Sequence, residues 1–130
     1  SDTIKVALVS SGYTPSLGSD QFYSDLGSNI VGTDQTLTSK TATSGVANAG
    51  NPTWPTVISG VASYIILYKS TGVDSTSPLI ACIDTATALP VTATGGDITI
   101  SWDTGDSKIF KLGTPASGEI SYLPFLLMGV

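Results

Sequence analysis

The sequence of 130 residues contains no histidine and no arginine, and all five of its cationic side chains are lysines. A chain without histidine lacks the commonest general base and the commonest metal ligand. A chain without arginine lacks the usual bidentate clamp for phosphate. The net charge of −5 argues against a nucleic-acid partner, because counterion release requires clustered cations. These absences favour a protein that packs against other proteins over an enzyme.

Cysteine is almost absent as well, since Cys82 stands alone and cannot form a disulfide within the chain. Folding in a reducing compartment is the simplest interpretation. No basic segment followed by an apolar one opens the sequence, so no secretory signal is predicted. The apolar stretch 120–130 is interrupted by Pro124 and is far shorter than the roughly 20 residues that span a bilayer. We therefore expect no membrane partner.

Alternating apolar residues predict short strands separated by turns rich in Gly, Pro and Ser. Both faces of 3–10 and of 61–69 are apolar, so we expect these two strands to be buried, with 61–69 in a central position. In 61–69, Tyr64, Ile66 and Tyr68 would share one face, and Val61, Ile65 and Leu67 the other. Further strands are predicted over 35–43, 78–85 and 97–103, and the segments 44–52 and 88–96 are predicted loops.

Finer features follow from the same patterns. Leu79, Ala81 and Ile83 should share a face, and Ile98, Ile100 and Trp102 should point inward together. A tight turn at 104–106 should join 97–103 to 107–112 as a hairpin. The one predicted helix covers residues 20–26, capped by Ser19 and ended by Gly27.

Together these elements predict an all-β, single-domain antiparallel β-sandwich or open barrel with one short helix near residues 20–26. The composition changes near residue 113, where small residues replace the alternating pattern. We therefore divide the chain into a β-sandwich body, 1–112, and a segment 113–130 that contains a linker followed by an apolar C-terminal arm or last strand.

No motif in the sequence carries recognisable catalytic, metal-binding or cofactor chemistry. Ser39 and Lys40 are adjacent, and neighbours on a strand point to opposite faces, which does not suit a catalytic dyad. The aspartates 97, 103 and 106 bracket a predicted strand and turn, where Asp usually bonds its own backbone, and a weak Ca²⁺ site is the lesser alternative. Cys82, between apolar neighbours, is read as a small buried hydrophobe. We expect no catalytic residues, no metal and no cofactor.

Two regions are candidates for an interface with another protein. Trp54 lies between two prolines and is out of phase with any clear strand, so it is either a core residue or an interface anchor. An apolar tail is a liability unless something covers it. It either returns to its own sheet as a last strand or docks as an arm on a neighbouring subunit, and the flexible composition of 113–118 favours the arm. The predicted interface residues are Trp54, Tyr122, Leu123, Phe125, Leu126 and Leu127.

Two blocks of the sequence resemble a family of small virion structural proteins of tailed phages. The first is DTIKVALVSSGYTP followed by DQFYSDL, and the second runs from SYIILYKSTG through STSPLIACIDT to ITISWD and IFKL. Together they cover about half of the chain, whereas residues 30–60 and the apolar tail do not share the resemblance. It implies a non-enzymatic structural component, either a head decoration protein or a minor structural protein.

The resemblance and the composition together lead to three functional hypotheses. The first is a capsid decoration (cement) protein on the outside of the shell. Its partners would be the major capsid protein and neighbouring copies of itself, as a homotrimer by analogy, and it would be made in the host cytoplasm. The second is a minor tail or head-tail connector component. The third is a carbohydrate-binding or adhesion module.

Overall fold

The computed structural model describes residues 2–16, 18–86, 89–105 and 108–111. Residues 112–130, which include the predicted linker and tail, lie outside this range. Eleven strands are assigned within the described residues: β1 Ile4–Val9, β2 Ile30–Thr36, β3 Thr41–Thr43, β4 Val46–Asn48, β5 Thr53–Trp54, β6 Val61–Ala62, β7 Tyr64–Lys69, β8 Leu79–Ile83, β9 Val91–Thr92, β10 Ile98–Thr99 and β11 Phe110–Lys111. Two 3₁₀ turns, Tyr23–Leu26 and Asp74–Thr76, complete them. Every strand pair is antiparallel, which confirms the all-β prediction.

A four-stranded sheet with the order β2-β1-β7-β8 forms the centre of the fold. β1 and β7 lie in the middle and pair over six residues, with Val6 opposite Leu67 and Val9 opposite Tyr64. These are the two strands whose apolar residues occupy both faces, and an inner strand can bury both. The predicted central position of 61–69 is therefore confirmed for Tyr64–Lys69.

The two faces of the central sheet contact separate cores. On one face, Val6, Leu8, Ile65 and Leu67 belong to the larger cluster. The short strands β5 and β10 contribute Trp54 and Ile98 to it, and the segment after β10 contributes Ile100 and Trp102. On the other face, Ala7, Val9, Ile66 and Tyr68 pack with Tyr13 and Leu26 from the segment that joins β1 to β2. The predicted division of β1 and β7 into two apolar faces is confirmed. The predicted inward side chains of 97–103 are also confirmed.

A bulge in β8 changes one predicted face. Tyr68 is opposite Leu79, but Leu67 is opposite Ala81, so the register passes over Ile80. The extra residue shifts the alternation. Leu79 consequently packs in the smaller cluster, whereas Ala81 lies in the larger one. The prediction that Leu79 shares a face with Ala81 is wrong for this reason.

Other segment boundaries differ from the pattern-based predictions. The predicted loop 44–52 contains β4, which pairs with both β3 and β11. The predicted strand 35–43 is split between β2 and β3, and the predicted loop 88–96 contains β9. The predicted hairpin is wrong, because β10 pairs with β5 and β11 pairs with β4. Val61, predicted to be buried, belongs to the separate strand β6 and is exposed.

The predicted helix is a single 3₁₀ turn, and its cap differs from the prediction. The Asp25 carboxylate accepts hydrogen bonds from the backbone N–H groups of Gln21 and Phe22, at 2.8 and 2.9 Å. Ser19 instead donates its hydroxyl to Ser16. Gly27 ends the turn as predicted, but its φ of +64° is combined with a ψ of −140°, which lies outside the left-handed helical region that the prediction gave it.

Candidate interaction surface

The segment between β5 and β6, which we call the 55–60 loop, is fixed at its middle by a second chain segment. The Val57 N–H donates to the Gly96 carbonyl at 3.0 Å, and the Gly95 N–H donates to the Val57 carbonyl at 2.8 Å. The Thr56 N–H donates to Asp97 Oδ1 at 3.0 Å. Asp97 thus bonds the backbone of a distant segment, whereas turn chemistry predicted a bond to its own local backbone. Because Val57 is also buried, the loop is held by both hydrogen bonds and packing.

Trp54 anchors this loop from the inside. Its side chain is completely buried in the larger core cluster, and its strand pairs with β10 through Ile98. Gly32 of β2 has a φ of +73°, and a Cβ built there would lie 3.4 Å from Trp54 Cδ1. That distance is an ordinary van der Waals contact, so the positive φ and not crowding of the indole is what favours glycine at this position. Of the two roles that the sequence left open for Trp54, the structure shows the core role, so the indole offers no exposed surface to a partner.

The loop carries the most exposed large apolar side chain in the described part of the protein. Ile58 is 81% exposed, and Val61, just beyond the loop, is 42% exposed. Single exposed apolar residues are common on protein surfaces. Here the backbone is held on both sides of Ile58, by the hydrogen bonds of Val57 and by the Gly60 carbonyl, which accepts from the Ala93 N–H at 2.9 Å. The sequence analysis missed Ile58. The available signal was an isoleucine in a segment bounded by Pro55 and Gly60, outside any alternating pattern.

A second feature is a polar cavity of about 430 Å³ beside β2, lined in part by Lys5, Tyr23, Asp34, Tyr68 and Asp74. The Tyr68 hydroxyl donates to Asp34 Oδ2 at 2.7 Å, and the rings of Tyr23 and Tyr68 are 4.4 Å apart. Burial raises the pKa values of the Tyr23 and Tyr68 hydroxyls well above the ordinary range, and hydrogen bonding to Asp34 raises them further. Phenols held protonated are hydrogen-bond donors and not general bases. The cluster connects the first 3₁₀ turn to the central sheet.

The other groups that the sequence singled out, Cys82 and Lys40, lie in environments that fit structural roles. Cys82 is buried, and burial followed by the nearby Asp84 raises the pKa of its thiol to about 12, which is the behaviour of an inert cysteine. Lys40 donates to the Leu37 carbonyl at 3.3 Å. Within the described ranges no group of three or more His, Cys, Asp or Glu side chains could hold a metal ion. In the same residues, no helix has the length and apolar character needed to cross a membrane.

The structure leaves most of the predicted interface residues untested. Tyr122, Leu123, Phe125, Leu126 and Leu127 lie outside the described residues, so the arm and the last strand both remain predictions. In comparisons with known proteins, no protein-family model and no curated protein matches the sequence. The likeness to phage virion proteins therefore rests on the two sequence blocks alone.

Proposed function

We propose that the protein is a non-enzymatic virion structural component that decorates the outside of an assembled capsid. The observation that carries the proposal is the way in which the two resembling blocks come together. β1, from the first block, pairs along its whole length with β7, from the second block, and β7 pairs with β8. The blocks are separated in sequence by the irregular residues 30–60, yet they contribute three of the four strands of the central sheet.

The helical part of the first block also contacts the second block. The Tyr23 N–H donates to the Ser77 carbonyl at 2.8 Å, and the Leu79 N–H donates to the Gln21 carbonyl at 2.8 Å. Tyr13 and Asp20, both in the first block, are joined by a hydroxyl–carboxylate hydrogen bond of 2.6 Å. The residues that resemble the family thus belong to one packed unit, which supports treating the two blocks together and not as isolated motifs.

Attachment to a shell requires a preorganised surface more than a reactive site. The 55–60 loop offers such a surface, with Ile58 exposed above a buried anchor. A protein that binds only the assembled shell stabilises it by mass action. Repetition of weak contacts around a symmetric lattice then raises the total avidity without strong single contacts.

The decisive experiment is the copy number of this protein in purified virions, measured by quantitative mass spectrometry against the major capsid protein. We expect about one copy per capsid subunit, or one per few subunits, because decoration follows the lattice. Only a few copies per particle would replace the proposal with the tail or connector alternative. Absence from the particles would refute a virion role altogether.

A pair of substitutions tests the contact surface directly. Ile58→Ser should weaken binding to capsids that lack the protein, whereas Val73→Ser is a matched control, since Val73 is also apolar and 56% exposed. Neither side chain contributes to a core, so both variants should keep the thermal stability of the free protein. Equal capsid binding by the two variants would show that Ile58 is not a contact residue.

A further inference from the structure

A surface groove with a volume of about 330 Å³ separates the three-stranded sheet β11-β4-β3 from the central sheet. Its lining is mainly apolar. Residues from six strands line it: Ile4 of β1, Leu67 of β7, Ile80 of β8, Ala42 of β3, Ala47 of β4 and Phe110 of β11. Ile4, Ile80 and Phe110 are only half-buried, so apolar area along the groove remains exposed to solvent in the described part of the protein.

Two strand edges border this groove. Among the described strands, β8 is outermost in the central sheet, and β11 is outermost in its own sheet. An outermost strand with unpaired N–H and C=O groups and an apolar side favours the addition of another extended segment. The site therefore suits an apolar chain segment better than a small polar ligand.

The sequence supplies such a segment immediately after the groove. Phe110 lines the groove, and only residues 112–119 separate β11 from the apolar segment Ile120–Val130, which contains no charged residue. Eight residues span up to about 28 Å when extended, and about 16 Å as a flexible coil. A segment tethered this closely has an effective concentration in the millimolar range. A second copy at micromolar concentration competes poorly with it.

We propose that this groove binds the apolar segment Ile120–Val130 of the same chain. Sequence analysis left two alternatives for the tail, a return to its own sheet and an arm on a neighbouring subunit. The proposal selects the first of them. The inference is independent of the virion role, since it concerns how the chain covers its own apolar surface. If the tail docks in the groove and the protein also decorates a capsid, the 55–60 loop and not the tail contacts the capsid.

Engineered cysteines in the full-length protein test the docking. Ala42→Cys, in the groove, is combined in turn with Leu123→Cys, Phe125→Cys and Leu127→Cys, and mild oxidation is followed on non-reducing gels and by intact mass. A disulfide requires Cα atoms within about 7 Å, so cross-linking reports proximity. Thr94→Cys, exposed and outside the groove lining, replaces Ala42→Cys in the control series. Both a Cys82→Ala and a native Cys82 background are used, because the buried native thiol has a pKa of about 12 and reacts slowly.

We expect an intrachain disulfide from at least one tail position, formed at least about tenfold faster than in the Thr94→Cys series and independent of protein concentration. Disulfide-linked dimers from the Ala42→Cys series would overturn the proposal in favour of tail exchange with a second copy. Equal rates in the two series would overturn it by showing that the tail does not reside in the groove. Each variant retains the 55–60 loop, and cross-linking is measured without capsids. Neither outcome therefore depends on the proposed function.

Discussion

The two tryptophans provide a matched test of the cost of an unpaired indole N–H in this core. Both rings belong to the larger core cluster, with Trp54 completely buried and Trp102 9% exposed. Trp102 Nε1 donates to the Gly50 carbonyl at 3.0 Å, whereas Trp54 Nε1 has no acceptor among the described residues. Substitution by phenylalanine removes the N–H at either position while keeping an aromatic ring.

The expected magnitudes differ because the two N–H groups start from different states. At Trp102 the substitution loses a hydrogen bond with a net value of about 0.5–1.5 kcal/mol and leaves the Gly50 carbonyl without this donor. At Trp54 it removes a donor whose unpaired burial costs about 1–3 kcal/mol, which offsets the loss of packing. Together the two terms give an upper range, and we therefore expect Trp102→Phe to lower the free energy of unfolding by about 1.5–4.5 kcal/mol more than Trp54→Phe does.

Urea unfolding followed by far-ultraviolet circular dichroism measures this difference, and unchanged m-values would confirm that both variants unfold in the same way. Burial alone predicts the opposite order, because Trp54 is the more buried of the two residues. A Trp54→Phe variant that is destabilised as much as Trp102→Phe, or more, would refute the reasoning.

Three further predictions concern the turns and the buried thiol. Gly60→Ala should cost about 1 kcal/mol or more beyond Gly72→Ala in urea unfolding, because both glycines have positive φ but only a Cβ at Gly60 would crowd Val31, at 3.1 Å. Equal losses would contradict this. Cys82 should resist alkylation at pH 8 until denaturant is added. Its pKa is raised to about 12 from 9.0, so its contribution to stability should be lost as the pH rises through that window, and rapid native labelling would contradict this. Asp25→Ala should cost about 1 kcal/mol at neutral pH by uncapping two N–H groups. Its backbone hydrogen bonds lower the Asp25 pKa, so the difference should shrink as the pH falls below 3.8, and a pH-independent difference would contradict this.

The two inner strands of the central sheet could be predicted because their signal is local. Apart from Lys5 and the terminal Lys69, β1 and β7 carry apolar residues on both faces, and a strand inside a sheet can bury both. The all-β class follows from the same alternation. The bulge at Ile80 could not be predicted, since LIACI alternates acceptably in either register and only the pairing with Tyr68 and Leu67 selects one.

The candidate surface was predicted less well. Trp54 drew attention for its position between two prolines, yet its burial depends on packing against core residues from distant parts of the chain, such as Val6 and Ile98. Ile58, which is four residues further along, drew none. Its exposure follows from hydrogen bonds between the 55–60 loop and residues 95–97, about forty positions away in the chain.

The sequence by itself determined the class of the fold, the two-faced strands at its centre and the inert surroundings expected of a lone cysteine. These properties depend on composition and on contacts between near neighbours in the chain. The tertiary structure decided which short strands pair, which tryptophan lacks a hydrogen-bond partner and which apolar side chain faces solvent. β4 and β5 are brief segments that gain a partner only when distant parts of the chain meet, so no local pattern distinguishes them from loops. Alternation did predict strands at β10 and β11, but their partners β5 and β4 follow from the tertiary structure alone.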